Sequence, residues 1–228
     1  MTESTPPEPQ VRDLLPPAVA VAVAGPDDWS GPLHAAEAAC IGDRAVDSRR
    51  RDFTAGRVCA RRAMAALGLP PVAVPAAPDR SPVWPAGTVG TITHTHGYCA
   101  AAVARSDEIR AVGMDAEQHR ELSAGVRRLI CLPDEHEQIA RLPTGVSWPA
   151  VIFSAKETVY KVWHPVVGSW LDFHDALVRL DPDTGTFTAR ISPARVTDAS
   201  VDDPPALITG RFAVEADLVR TAAVLTIR

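Results

Sequence analysis

The stretch FSAKETVYKVW, residues 153–163, poses the question on which the fold turns. At about 100° per residue, Ile152, Ala155, Val159, Val162 and Trp163 fall on one apolar stripe, as an amphipathic helix requires. Lys156, Tyr160, Glu157 and Lys161 fill the arc beside that stripe, in that angular order. A carboxylate thus lies between two ammonium groups at the edge of a packing face. A surface helix with an ordinary i,i+4 pair, Glu157 to Lys161, gives the same pattern and gains only a few tenths of a kcal/mol. The rest of the chain decides between the two readings.

The chain has 228 residues, enough for one large domain or two small lobes around a real core. Lys and Arg number 23 against 28 Asp and Glu, a net charge of −5, so nothing global suggests a nucleic-acid partner. Phosphate chemistry would have to come from local basic clusters. Cys40, Cys59, Cys99 and Cys131 are far apart, form no metal-ligand spacing and sit among apolar residues, as reduced core thiols do. The first ten residues are acidic and proline-rich, unlike a signal peptide, and AVAVAVAG is too short to span a bilayer. The expectation is a cytoplasmic protein without a membrane partner.

Residues 1–16 read as a flexible tail, 17–107 as an N-terminal lobe and 108–228 as a C-terminal lobe joined at SDEIR. The first lobe offers a strand over Ala18–Ala24, an alanine-rich helix at LHAAEAAC and a long helix from Asp47 to Leu67 that stops at Gly68. A proline-rich loop, 70–87, leads into the strands TVGTITH and YCAAAVAR. In the second lobe IRAVGMD reads as a strand, and helices are expected near 119–130, 133–141 and 149–163. ALVRLD, GTFTARIS, ALITGRFAVE and LVRTAAVLTI then read as strands. Helices beside antiparallel strands in each half predict an α+β fold, with two similar lobes meeting at a cleft.

Four segments carry candidate chemistry. In VGMDAE, Asp115 and Glu117 lie two apart on a strand end and point the same way. Two neighbouring carboxylates repel, and a hard divalent cation such as Mg²⁺ relieves the repulsion; a solvated strand end does so as well. In SRRRDFTAGRVCARR, Arg50, Arg57 and Arg61 recur close to one helical stripe, with Arg49 about 80° from Arg57. Guanidinium forks on such a face suit a phosphate, while Arg51 and Arg62 read as solvated. In TITHTHGY, His94 and His96 have zinc-like spacing, but no third ligand is evident nearby. A single His94 or Thr93 reaching a phosphate is the better reading, and His96 reads as a core histidine. Glu157 is then a candidate third carboxylate, with Lys156 and Lys161 as cations for phosphate oxygens.

Taken in order, RRRDFTAGRVCAR, SPVWPAGTVGTITHTHGY, VGMDAE, and FSAKETVYKVW followed by WLDFHDA resemble the 4′-phosphopantetheinyl transferases, in particular the two-lobed monomeric class that includes the enterobactin-synthase type. The resemblance covers roughly residues 45–180. It implies a pseudo-twofold pair of α+β lobes with coenzyme A in the cleft between them. It also implies Mg²⁺-dependent transfer (Mn²⁺ in its place is compatible) of 4′-phosphopantetheine to a serine of an apo acyl or peptidyl carrier protein, releasing adenosine 3′,5′-bisphosphate. Asp115, Glu117 and Glu157 match the family's acidic metal positions. Lys156 and Lys161 match its motif lysines near the diphosphate. Arg49, Arg57 and His94 match positions that hold the nucleotide end, and Thr93 a polar position on the diphosphate side. Arg80 stands where relatives often carry a lysine before WP, Met114 where isoleucine is usual and Thr91 where serine is usual.

On that pattern Glu157 is the expected general base, with Glu117 or a water as alternatives, and Lys156 and Lys161 are the expected catalytic cations. Arg127, Arg128 and Leu129 in ELSAGVRRLICLP are candidates for carrier docking, or for ordinary helix packing. A coenzyme A sensor without turnover, or a Mg²⁺-dependent phosphohydrolase, would use many of the same residues. The pathway served, whether fatty acid, polyketide, siderophore or other nonribosomal peptide synthesis, is not written in the sequence.

Overall fold

The structure, a computed structural model, describes residues 11–42 and 44–227. After a 3₁₀ turn at Val11–Leu14 come β1 (Val19–Val23), a second 3₁₀ turn at Pro26–Ser30, α1 (Ala35–Ala38) and α2 (Asp47–Ala66). Then follow β2 (Thr88–Thr95), β3 (Tyr98–Arg105), β4 (Ile109–Gln118), α3 (Ala124–Ile130), α4 (Pro133–Ile139) and α5 (Trp148–Val167). A 3₁₀ turn at Phe173–Asp175 leads to β5 (Ala176–Asp181), β6 (Thr186–Ile191), α6 (Pro193–Thr197), β7 (Leu207–Val214) and β8 (Leu218–Thr226).

The strands form two antiparallel sheets, ordered β1-β3-β2 and β4-β8-β7-β6-β5. Each sheet carries one 20-residue helix, α2 on the first and α5 on the second. This is the α+β pair of lobes expected from the sequence. Small residues let α2 lie close to its sheet: Ala55, Cys59, Ala60 and Ala63 are fully buried, and Gly56 meets Ile92. Gly68, at φ 68°, lets the chain leave the helix in the left-handed region.

The α5 stripe packs as its periodicity requires. Ile152, Ala155, Val159, Val162 and Trp163 are all fully buried. The helix starts with Pro149 in its first turn and ends at Gly168, φ 74°. It runs past the predicted end at 163, with Pro165 inside its last turn.

Three sequence expectations need correction. The helix near 119–130 begins only at Ala124, capped by the Ser123 hydroxyl accepting from Val126 N. Residues 119 and 120 are committed elsewhere. His119 N donates to Asp217 O, and the His119 ring bridges Glu215 O and Ser147 N. Strand β4 runs on to Gln118, so Glu117 lies within the strand and pairs with Val219. Residues 11–15 are not a frayed end: Val11, Leu14 and Leu15 are buried between the lobes with Val112, Met114 and Ala222. The remainder of the predicted tail, residues 1–10, lies outside the described residues.

One close approach sets the position of α5. A Cβ built on Gly113 of β4 would lie 2.3 Å from Thr158 O of α5. Beside this contact, Thr221 Oγ1 of β8 lies 2.7 Å from Thr158 Oγ1 and 2.9 Å from Ser154 Oγ, all three buried. The hydroxyls satisfy one another where apolar groups would leave no directional preference. Replacing Gly113 by Ala should push α5 off β4 and destabilise the protein by about 1–3 kcal/mol, as overpacking does. Urea unfolding reads this as a lower midpoint at unchanged slope.

Candidate active site

Thr221 stands opposite Asp115 in the β4–β8 register, so the hydroxyl clamp lies next to the acidic strand. With α5 held there, Glu157 and Lys161 project over Asp115 and Glu117. Asp115 is only 4% exposed. Its Oδ1 accepts from Lys161 Nζ at 2.7 Å and from Thr93 Oγ1 at 3.3 Å. Lys161 Nζ also donates to Met114 O, and Ala116 N donates to Thr93 Oγ1. Thr93, from β2, therefore ties the first sheet to the acidic strand of the second.

The other oxygen, Asp115 Oδ2, is buried without a hydrogen-bond partner. Burial, then the charges of Asp115 and Glu157, hold the Glu117 carboxyl up at about 7, against relief from Lys161 and Arg120. Burial and Asp115 raise Glu157 as well, with Lys161 opposing. The three carboxylates thus share one desolvated neighbourhood. Among the described residues, no three His, Cys, Asp or Glu side chains stand ready-made as a metal cage. The chemistry of the set still fits a hard cation: three carboxylates, one with a buried unspent oxygen, and mutual repulsion that a positive charge would relieve.

A cleft of about 970 Å³ opens on the α2 side of β2. Arg49, Arg57, Arg80 and His94 all line it. Arg57 is buried, its Cζ 3.8 Å from the Phe53 ring centroid, with Nε donating to Val74 O at 3.0 Å. Its Nη2 is buried without a partner. Burial pulls the Arg57 pKa below that of a free guanidinium, so an anion at Nη2 would recover solvation the fold has removed. His94 is exposed, with Nδ1 3.7 Å from Asp52 Oδ2. Arg80 sits in the proline-rich loop at φ 72°, next to Asp79, which lies 3.7 Å from His164 of α5. This loop therefore reaches from the arginine cleft to α5.

Several sequence assignments do not survive the geometry. Lys156 faces away from the acidic cluster. Its Nζ donates to Glu135 Oε2 at 2.8 Å, Ile130 O at 2.8 Å and Phe173 O at 2.7 Å. All three ammonium hydrogens are committed in a buried site, leaving none for a phosphate. Arg61 does not join the cleft either; it pairs with buried Glu37 and bonds Pro32 O. Arg50 bonds the carbonyls of Ala45 and Gly42. His96 is exposed, where a core histidine was expected. Arg51 stacks over Trp29 and Arg62 pairs with Asp28, so these two take surface partners. Of the docking candidates, Arg128 and Leu129 are exposed on α3, and Arg127 is half-buried.

Phe53 and Glu135 also support Arg57 and Lys156, though neither stands out in the sequence. Phe53 lies one turn before Arg57, and that spacing could have announced the stacking. Glu135 lies in the first turn of α4 and accepts from Leu132 N, but nothing in the sequence links it to Lys156.

The raised carboxylates make a pH prediction. A carboxyl whose folded pKa lies above its unfolded value near 4.5 binds more protons folded than unfolded between the two. Its contribution to stability is therefore lost as pH rises through that interval. In chelator, the melting temperature should fall as pH goes from about 5 to 7.5, and Glu117→Gln should flatten that slope.

Two family profiles match the chain. The 4′-phosphopantetheinyl transferase N-terminal domain covers residues 36–104, and the 4′-phosphopantetheinyl transferase superfamily profile covers 111–209. The chain is 46% identical over 171 residues to 4′-phosphopantetheinyl transferase Svp of Streptomyces mobaraensis, covering 73% of this chain and 68% of that one. It is 41% identical over 185 residues to PptT of Mycobacterium tuberculosis, at 80% and 82% coverage. Against Npt of Nocardia iowensis it is 36% identical over 222 residues, at 93% and 98% coverage. Both lobes thus find the same relatives, and the chain belongs to the 4′-phosphopantetheinyl transferase superfamily, as an enzyme of phosphopantetheine transfer.

Proposed function

We propose that the chain moves 4′-phosphopantetheine from coenzyme A to a serine of an apo acyl or peptidyl carrier protein and releases adenosine 3′,5′-bisphosphate. One observation carries the reading: the buried, unspent Oδ2 of Asp115 lies beneath Glu157 and Lys161, with a guanidinium-lined cleft on the far side of Thr93. Residues 17–107 form the nucleotide side and 108–228 the acidic side. Arg49, Arg57, Arg80 and His94 bind the nucleotide end, with Arg57 Nη2 on the 3′-phosphate. Thr93 and Lys161 orient the diphosphate, where Lys161 offsets developing charge.

Asp115, Glu117 and Glu157 would hold Mg²⁺, or Mn²⁺ in its place. Such an ion supplies charge neutralisation on the diphosphate oxygens. Glu157 takes the proton of the serine hydroxyl, directly or through water. The serine Oγ–Pβ bond forms as the bond from Pβ to the bridging oxygen breaks, and the bridging oxygen leaves with the nucleotide bisphosphate. Glu117, held near 7 in the ion-free protein, is the second candidate for the proton. Lys156, with its hydrogens already spent, contacts no phosphate in this reading.

Four free cysteines support placement in the cytoplasm, and the fold encloses both halves of the site in one chain, which supports action as a monomer. Among the described residues no helix is long and apolar enough to cross a membrane.

Weighing an apo carrier after incubation with coenzyme A and Mg²⁺ tests the reaction. A gain of one phosphopantetheine supports transfer; free phosphopantetheine without labelling means hydrolysis, and no turnover means a sensor. Glu157→Ala should lower turnover by about 10²-fold or more with the fold retained, the scale of losing a general base. Near-normal turnover in excess Mg²⁺ would remove Glu157 from the mechanism. Arg57→Ala should weaken coenzyme A more than 3′-dephospho-coenzyme A, as calorimetry can read. Equal losses would move the 3′-phosphate elsewhere.

A further inference from the structure

Lys156 and Lys161 belong to one helical turn and a half, yet they lead different lives. Lys161 is a quarter exposed and sits on Asp115. Lys156 is 3% exposed and faces Glu135, itself fully buried on α4. Around this pair the chain closes a polar node. Glu135 Oε1 accepts from Val178 N of β5 at 2.7 Å, and Oε2 accepts from Leu132 N at 2.7 Å as well as from Lys156. Lys156 in turn binds the last carbonyl of α3, at Ile130, and the carbonyl of Phe173. Four separate segments thus meet on two side chains.

Those segments pack against α5, the helix that carries Glu157. Helix α3 presents Val126 at 41% and Leu129 at 64% exposure, with Arg128 between them, and Trp170 is 65% exposed just before the Phe173 turn. Phe173 also packs on Phe153, the residue one turn before Glu157 on α5. Nothing in the node touches the arginine cleft that opens beside α2.

We infer that Lys156 is a positioning residue acting through Glu135: the pair fixes the α3 and Phe173 wall against α5, so that an acceptor protein docked on that wall delivers its serine to Glu157. The inference rests on the transfer reading given above. It separates the two motif lysines by task, Lys161 serving the phosphate side and Lys156 the acceptor side.

The chemistry of the pair supplies the test. Removing one partner of a buried ion pair leaves an uncompensated charge, whereas replacing both can be nearly neutral. Lys156→Met strands the Glu135 carboxylate. Adding Glu135→Gln removes that charge and keeps an amide oxygen to accept from Leu132 N or Val178 N. Two constants are measured on the full-length chain: coenzyme A affinity by calorimetry, and kcat/KM for an apo carrier domain.

For Lys156→Met we expect kcat/KM for the carrier to fall about 10-fold, with coenzyme A affinity within about twofold of wild type. The double variant should recover most of that loss. Coenzyme A affinity weakened about 10-fold in both variants would overturn the inference, because Lys156 would then be a phosphate ligand. So would unchanged constants per folded molecule in the single variant, the mark of packing alone. If Lys156→Met fails to fold, the double variant decides: a residual loss in kcat/KM for the carrier with coenzyme A affinity retained supports the inference, and unchanged constants or lost coenzyme A binding overturn it. Absence of transfer by the wild-type chain would count against the transfer reading instead, and the coenzyme A affinities would still settle whether Lys156 meets phosphate.

Discussion

The contact between Gly113 and Thr158 is the constraint from which the rest of the site follows. Only a residue without a Cβ lets the backbone of α5 rest on β4 at this point. Closer approach places Glu157 and Lys161 over Asp115 and Glu117, and it excludes water enough to raise two carboxyl pKa values. The Ser154–Thr158–Thr221 hydroxyls then fix the sliding position along the contact. Stability and chemistry pull against each other here. The two carboxyls raised by burial, Glu117 and Glu157, weaken the fold at neutral pH, and the surrounding apolar packing of α5 holds the cluster together regardless.

The same logic holds in the arginine-lined cleft. Arg57 keeps one nitrogen on Val74 O and its flat face on Phe53, so its fork is already oriented before any ligand arrives. Ordering a long side chain in advance removes part of the entropy otherwise lost on binding. Arg49 and His94, on the rim, remain exposed to water.

The long elements were legible because their periodicity is strong: the buried stripe of α5 and the stop of α2 at Gly68 follow from spacing and from backbone freedom. The convergence of Asp115, Glu117 and Glu157 was legible only through the order of the motifs, since no local rule brings residue 115 beneath residue 157. The Lys156 assignment failed for a geometric reason already present in the helix. Residues 156 and 161 stand about 140° apart on the wheel, at opposite ends of the polar arc. One site cannot receive both, and which end meets the carboxylates depends on the side from which β4 approaches. The fate of Arg61 was hidden for a similar reason, because its partner Glu37 comes from a short helix whose placement no periodicity encodes.

The sheet order has a bearing on how the molecule is made. The acidic strand β4 hydrogen-bonds to β8, the strand farthest along the chain among the eight, and the early turn at Val11–Leu14 rests on that same strand. Closing such distant pairings is slow relative to forming local ones. A nascent chain emerging from the ribosome can fold α2 onto its own sheet at once, but the carboxylates gain their support only after residues 218–226 have followed. An unfinished polypeptide can therefore have its arginine-lined cleft formed while the acidic strand still lacks its neighbour in the sheet.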